Sequence, residues 1–174
     1  MSRWDIFRDD DISVTTNIQK LEAAHEIIVG AGRVHTVAVQ MREIATNEEV
    51  WIWLHEASGL NVQLHGWDHS ALDGEPWYHN RTGQLHRGLT LDEVTDELRQ
   101  CCEYWENISR RGGYKWKPLE VLFPPWNRVS DLTHRAAEKV GLRVDASHGP
   151  SSRTLLFHYW CSREVDRLRK AVRE

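Results

Sequence analysis

The sequence has few cysteines, no long apolar run and no basic cluster, and each shortage excludes a class of protein. Three cysteines in 174 residues do not build a disulfide framework. No stretch of about 18 apolar residues is present, which excludes a transmembrane helix and a membrane partner. Lysine and arginine are scattered and the formal net charge is −4, which argues against nucleic acid as the main partner. No apolar signal core follows Met1, so we expect a cytoplasmic protein.

The composition is that of an ordinary globular domain. Apolar residues make up 40% of the chain and charged residues 28%. A chain of this length is long enough to bury a substantial core. We therefore expect residues 1–174 to form a single domain.

Short apolar runs alternate with helical patterns along the whole chain. The patterns predict strands over 4–7, 34–39, 62–65, 119–123, 142–144 and 154–157. They predict helices over 18–28, 48–57, 90–111, 130–140 and 162–173, and an irregular stretch over 66–89. Such alternation is typical of right-handed βαβ units and a parallel sheet, either open or curled into a barrel.

Polar clusters follow five of these predicted strands. They are Asp9 to Asp11, His65 to His69, Pro124 to Asn127, Asp145 and His158. Because the sites of parallel α/β folds form at the carboxyl ends of the strands, we expect all five clusters on one rim.

Two of the clusters carry the residue types of a metal site. His65 and His69 stand four residues apart, and neutral imidazole is the commonest nitrogen ligand of zinc-like metals. The aspartates of the first cluster are the best candidates for the remaining ligand. A carboxylate and two histidines leave open positions on the ion, which is typical of a catalytic site. A second carboxylate could take a proton from a bound water, and His158 could return one to the leaving group.

With these residues in view, the chain resembles the polysaccharide deacetylases of the NodB-homology type, which are metal-dependent hydrolases of N-acetylated sugars. The resemblance covers residues 5 to 160 and rests on four motifs that occur in the order of the family. They are an aspartate pair within Arg8 to Ser13, the pair His65 and His69, the segment Leu122 to Asn127, and the Leu-x-His ending from Leu156 to His158.

The resemblance implies a role for each matching residue. Asp10 would be the general base, and Asp11, His65 and His69 would hold the metal. The run of three aspartates leaves a second register open, in which Asp9 and Asp10 take those two roles. His158 would be the general acid.

The remaining motif residues would surround the substrate. Leu156 would line the pocket for the acetyl methyl group, and the backbone N–H of Trp126, beside Pro125, would hold the oxyanion. Two positions depart from the family pattern. Phe123 stands where an arginine often precedes the proline, and Asp145 stands without the tryptophan that usually follows it.

The resemblance also implies the fold and the reaction. We expect a distorted, incomplete (β/α) barrel with about six to seven parallel strands. The implied activity is hydrolysis of an N-acetyl group on a sugar or polysaccharide, with one divalent ion, zinc first and cobalt or nickel as alternatives. Two other interpretations stay open, namely a hydrolase of a small N-acyl or formyl substrate and a non-catalytic sugar-binding relic of the same fold.

Overall fold

The computed structural model describes residues 6–72, 74, 77–79, 84–115, 117–147, 153–157 and 162–173. Its strands are β1 (Ile6–Ile12), β2 (His35–Val39), β3 (Leu60–Leu64), β4 (Trp77–His79), β5 (Gln84–His86), β6 (Val121–Leu122), β7 (Arg143–Val144) and β8 (Thr154–Phe157). Its helices are α1 (Ile18–Gly30), α2 (Glu48–Glu56), α3 (Leu91–Arg111), α4 (Asp131–Lys139) and α5 (Ser162–Ala171), with 3₁₀ turns at Ile44–Thr46 and Pro125–Asn127.

Six parallel strands form the main sheet, in the order β7-β6-β3-β2-β1-β8. β1 pairs in parallel with β2 and β8, and β6 pairs in parallel with β3 and β7. This confirms the parallel α/β architecture that alternating strands and helices predict.

The chain divides into two compact units. The first contains Met1–Gln63 and Ser147–Glu174, and the second contains Leu64–Ala146. In the first unit the core is made of apolar side chains from β1, β2, β8 and the helices, among them Phe7, Leu21, Ile28, Val37 and Phe157, each at most 1% exposed. In the second unit, α3 and α4 bury the apolar residues Val94, Leu98, Ala136 and Ala137, all 0% exposed.

Helix starts follow the capping chemistry that the sequence contains. Thr90 accepts a hydrogen bond from the Glu93 N–H, and the Glu93 carboxylate accepts one from the Thr90 N–H, so α3 begins with a capping box as predicted. Ser130 and Thr133 form the same reciprocal pair at the start of α4. No helix in the described part of the chain combines the length and apolar character needed to cross a membrane.

Two predictions of secondary structure are wrong, namely the end of the first strand and the irregular character of residues 66–89. The first strand was predicted over 4–7 with the aspartates after it, but β1 runs on to Ile12, so all three aspartates lie inside the strand. Hydrogen bonding to neighbours on both sides extends a strand through charged residues that intrinsic β-propensity disfavours. The stretch 66–89 was predicted to be irregular, but it contains the antiparallel pair β4 and β5.

Candidate metal centre

Three consecutive aspartates of β1 lie in different environments. Successive side chains of a strand point to opposite faces, so Arg8 and Asp10 share one face and Asp9 points to the other. Asp9 is 0% exposed and Asp10 is 4% exposed. The Arg8 guanidinium meets both oxygens of Asp10, with Nε 3.0 Å from Oδ1 and Nη2 3.1 Å from Oδ2. The strand thus presents one aspartate as half of a buried ion pair.

Asp11 departs from the strand geometry of its neighbours. Its φ is +67°, and the register with β2 shifts between Asp9 and Ile12, which is the signature of a β-bulge. Asp11 is half-buried, and Gln40 Nε2 donates to its Oδ1 at 3.3 Å. Because a bulge interrupts the alternation of faces, the direction of the Asp11 carboxylate does not follow from the strand pattern.

His65 is buried directly after β3 and has a defined tautomer. Its Nδ1 lies 2.6 Å from the carbonyl oxygen of Phe123, and a carbonyl only accepts, so the proton is on Nδ1. The lone pair is therefore on Nε2, the atom that can bind a metal. Backbone carbonyls commonly orient metal-binding histidines in this way. Residue 123 therefore contributes its backbone to the site, and the apolar Phe123 side chain is compatible with that contribution.

His69 is half-buried and is held by Trp126. The indole Nε1–H of Trp126 donates to the His69 carbonyl oxygen at 3.0 Å, and the two rings meet edge to face with centroids 4.2 Å apart. Trp126 and Asn127 have φ values of 61° and 53°, so the turn after Pro125 is strained. Such strain is found where the surrounding contacts require a particular side-chain direction.

The loop between the two histidines is fixed by local contacts. Gly66 has φ +103°, and a Cβ there would lie 3.2 Å from the carbonyl oxygen of Asp68. The Ser70 N–H donates to Asp68 Oδ1 at 2.9 Å, and the Trp67 N–H donates to Glu97 Oε1 at 3.4 Å. Burial raises the pKa of Glu97, and the nearby Asp68 carboxylate raises it further. A side chain at Gly66 would disturb the turn that brings the two imidazoles together.

The predicted ligands are divided between the two units, with Asp11 in the first and with His65 and His69 in the second, where the two imidazole rings have centroids 5.2 Å apart. One oxygen and two nitrogens form the donor set of open catalytic sites for zinc-like ions. The residues therefore fit the ion that the resemblance implies.

The other predicted site residues have the following positions. Pro125 is buried in its 3₁₀ turn, and Leu156 is half-buried in β8. Asp145 follows β7, its N–H donates to the Leu122 carbonyl at 2.9 Å, and its carboxylate lies 3.7 Å from Arg143. His158 lies outside the described residues. The assignments to substrate, oxyanion and acid therefore stay predictions.

Sequence reasoning missed four contributors to this region. They are Arg8, Gln40, the carbonyl group of Phe123 and the indole of Trp126, each of which contacts a predicted site residue. A signal existed only for Arg8, because an arginine two residues before an aspartate in a strand shares its face. The other three contacts join residues far apart in sequence.

No family model and no curated protein matches the sequence of the chain. Solved structures do match. A peptidoglycan deacetylase, PdaC from Bacillus subtilis, has a TM-score of 0.64 at 14% identity, over 99% of this chain and 82% of its own.

Two further structures extend the likeness. BA3943 from Bacillus anthracis, a CE4 family pseudoenzyme, has a TM-score of 0.68 at 14% identity, over 99% of this chain and 61% of its own. A family 4 acetyl xylan esterase from Clostridium thermocellum, in complex with a cobalt ion, has a TM-score of 0.59 at 10% identity, over 97% of this chain and 79% of its own. At these identities the likeness shows the fold, and it confirms the predicted NodB-type fold.

Proposed function

We propose that residues 1–174 form one catalytic domain, a metal-dependent deacetylase that hydrolyses an N-acetyl group on a sugar or polysaccharide. The observation that carries the proposal is the donor set of Asp11, His65 and His69 in a chain that has the NodB-type fold. PdaC has this fold and is a peptidoglycan deacetylase, which supports a carbohydrate substrate.

Zinc is the proposed ion, held by the Asp11 carboxylate, Nε2 of His65 and a ring nitrogen of His69. When bound, such an ion lowers the pKa of a water and polarises a carbonyl oxygen. Asp11 is half-buried, whereas Asp10 is paired with Arg8, which favours the register with Asp11 as ligand and Asp10 as base. The cobalt ion in the acetyl xylan esterase makes cobalt a reasonable substitute.

The side chains of the chain account for the proton transfers of the proposed reaction. Asp10 takes a proton from the water whose oxygen attacks the acyl carbon, and the backbone N–H of Trp126 donates to the developing oxyanion. His158 gives a proton to the nitrogen as the C–N bond breaks, which leaves acetate and a free amine. Pro125, Leu156 and Asp145 complete the surroundings, with Leu156 beside the acetyl methyl group.

Acetate release and metal content test this proposal together. The purified protein is expected to bind one zinc ion and to release acetate from chitooligosaccharides. His65→Ala and His69→Ala should lose the metal, whereas His134→Ala, at an exposed position of α4, should retain it. Asp10→Asn should keep the metal and lose about 10²–10⁴ in rate. Stoichiometric zinc in folded His65→Ala and His69→Ala proteins would contradict the ligand assignment.

A second candidate function is a sugar-binding relic without activity. The likeness to the pseudoenzyme BA3943 favours it, together with Phe123 at the arginine position. Calorimetric binding of chitooligosaccharides without acetate release, in zinc-loaded protein, would select this candidate. Acetate release from small N-acetyl compounds alone would instead select a hydrolase of small N-acyl substrates.

A further inference from the structure

Arg8 is a fully buried charge next to the proposed base. Its side chain is 0% exposed, and among the largest fully buried side chains of the described residues it is the one that carries a charge. Burial of an arginine costs several kcal/mol, on the order of magnitude expected for an ion moved out of water, unless a partner compensates it. Asp10 is that partner, through both of its oxygens.

The contact geometry restrains the carboxylate more than a single ion pair does. Arg8 Nη2 donates a hydrogen bond to Asp10 Oδ2 at 3.1 Å, and Nε of the same cation lies 3.0 Å from Oδ1 without hydrogen-bond geometry. The third nitrogen, Nη1, donates to the carbonyl oxygen of Ser147 at 3.1 Å, which ties the guanidinium to the backbone. The Asp10 carboxylate is thereby held by an arginine that is itself held.

The pair leaves Asp10 able to accept a proton. An ionised carboxylate has about four lone-pair sites, and the hydrogen bond from Arg8 Nη2 uses one of those on Oδ2. Oδ1 is buried and accepts no hydrogen bond from the described residues, so its lone pairs can accept a proton. Lysine could not reproduce this arrangement, because its ammonium group is a point charge on a flexible stem, whereas the planar guanidinium donates to Asp10 and to the Ser147 carbonyl from two separate nitrogens.

We infer that Arg8 is the positioning residue of the proposed base, holding the Asp10 carboxylate in the orientation in which it accepts the proton of the attacking water. The inference rests on the proposed function. It assigns an orienting role to a residue of β1 itself, two positions before the base. Arg8 acts through Asp10 and not on the metal ligands or the substrate.

A double-mutant cycle with Arg8→Lys and Asp10→Asn tests this inference. Arg8→Lys should lower kcat by about 10–100-fold, since small misplacements of a reacting group have effects of this size. KM and the zinc affinity, measured by competition with a chelating dye, should stay within about twofold. In the Asp10→Asn background, Arg8→Lys should have no further effect on kcat, because groups that act as a unit are not additive. Arg110→Lys, which changes an exposed ion pair of α3, is the matched control.

Each outcome of the cycle decides between the alternatives. Three outcomes would overturn the inference while leaving the proposed function intact, provided that the wild type releases acetate. They are an unchanged kcat in Arg8→Lys, an additive effect on kcat in the double variant, and a zinc affinity that falls in parallel with kcat. Absence of zinc-dependent acetate release in the wild type would overturn the proposed function and this inference with it. If Arg8→Lys no longer unfolds cooperatively, the double variant Arg8→Met with Asp10→Asn replaces it. In that variant residue 10 carries no carboxylate that would need the arginine. That double variant must match Asp10→Asn in kcat, and any further loss overturns the inference.

Discussion

The first unit contains an aspartate strand, β1 with Asp9 to Asp11, and the second unit contains a histidine loop, from His65 to His69. The two segments hold their polar side chains by different means. In β1, Asp10 is held by a charged partner on the same strand, and the pair is almost completely buried. In the second unit, the imidazole of His65 is held by a backbone carbonyl, and the backbone of His69 is held by an indole N–H. The difference follows from charge, because a buried carboxylate requires a cation whereas a neutral imidazole requires one hydrogen-bond acceptor.

These two means predict different consequences of substitution. Removal of the partner of a buried charge leaves an uncompensated ion, which affects folding of the whole protein. Removal of a neutral hydrogen-bond donor loosens one side chain and affects local geometry. We therefore expect removal of the charged partner in the aspartate strand to lower the free energy of unfolding. Removal of a hydrogen-bond donor beside the histidine loop should instead lower the affinity for the metal.

The largest expected effect is that of Arg8→Ala on stability. Loss of the guanidinium leaves Asp10 buried without its ion pair, and the free energy of unfolding should fall by about 3–5 kcal/mol. Urea denaturation followed by circular dichroism measures the change. Arg8→Met combined with Asp10→Leu is the control, because an apolar pair of similar volume should restore most of the loss. A fall below about 1 kcal/mol in Arg8→Ala would show that the pair does not carry the stability ascribed to it.

An intermediate effect is expected for Trp126→Phe on metal affinity. Phenylalanine keeps an aromatic ring beside His69 but loses the indole N–H that binds the His69 carbonyl. Zinc affinity should fall by about 10–100-fold, the usual cost of losing an outer hydrogen bond at a metal site.

The control for this prediction is Trp105→Phe in the same unit. Trp105 is buried in α3, and its Nε1–H donates to the Lys117 carbonyl at 2.9 Å. That variant also loses an indole hydrogen bond, so it should lose stability while its zinc affinity is retained. Equal losses of zinc affinity in the two variants would mean that the effect is one of general stability.

The smallest expected effect concerns His35, a buried imidazole of the first unit that no predicted site includes. Its ring lies 3.1 Å from His25, Nδ1 to Nδ1, and stacks on Phe157 with centroids 5.6 Å apart. Burial, with a smaller contribution from the neighbouring His25, lowers the pKa of His35 from 6.5 to about 3. The folded state therefore keeps His35 neutral in a range where the unfolded chain takes up a proton.

This depressed pKa predicts acid destabilisation. The stabilisation by neutral His35 is fully present above pH 6.5 and is lost as the pH falls from 6.5 toward 3. Between pH 7 and 5.5 the free energy of unfolding should fall by about 1 kcal/mol from this group. His35→Gln, which does not titrate, should reduce the fall. An identical pH dependence in wild type and His35→Gln would exclude His35 as its source.

Much of the fold was predictable from local patterns. The capping box of Thr90 and Glu93, the amphipathic pattern of α3 and the apolar run of β8 act through neighbours in sequence, so their positions agree with the structure. The order of the motifs predicted a NodB-type fold, and the matching solved structures confirm that fold. The candidate ligands Asp11, His65 and His69 were also named from spacing and resemblance, and their assignment stays a prediction.

Other features depended on tertiary contacts. Sheet hydrogen bonds extend β1 through Asp9, Asp10 and Asp11, and a bulge then gives Asp11 a positive φ that no pattern of single residues encodes. The Phe123 carbonyl sets the tautomer of His65 across 58 positions of sequence.

The sequence by itself determined the order of the helices and of the main-sheet strands, the helix caps and the residue types of the candidate centre, because these depend on periodicity and on contacts a few residues apart. The tertiary structure alone decided which partner holds each of those residues. Arg8 could have pointed to solvent, and Trp126 could have packed in the core, until the fold enclosed one beside Asp10 and the other beside His69. Burial is the physical reason, because a charge or a polar group removed from water must find a partner nearby, and the fold determines which groups are near.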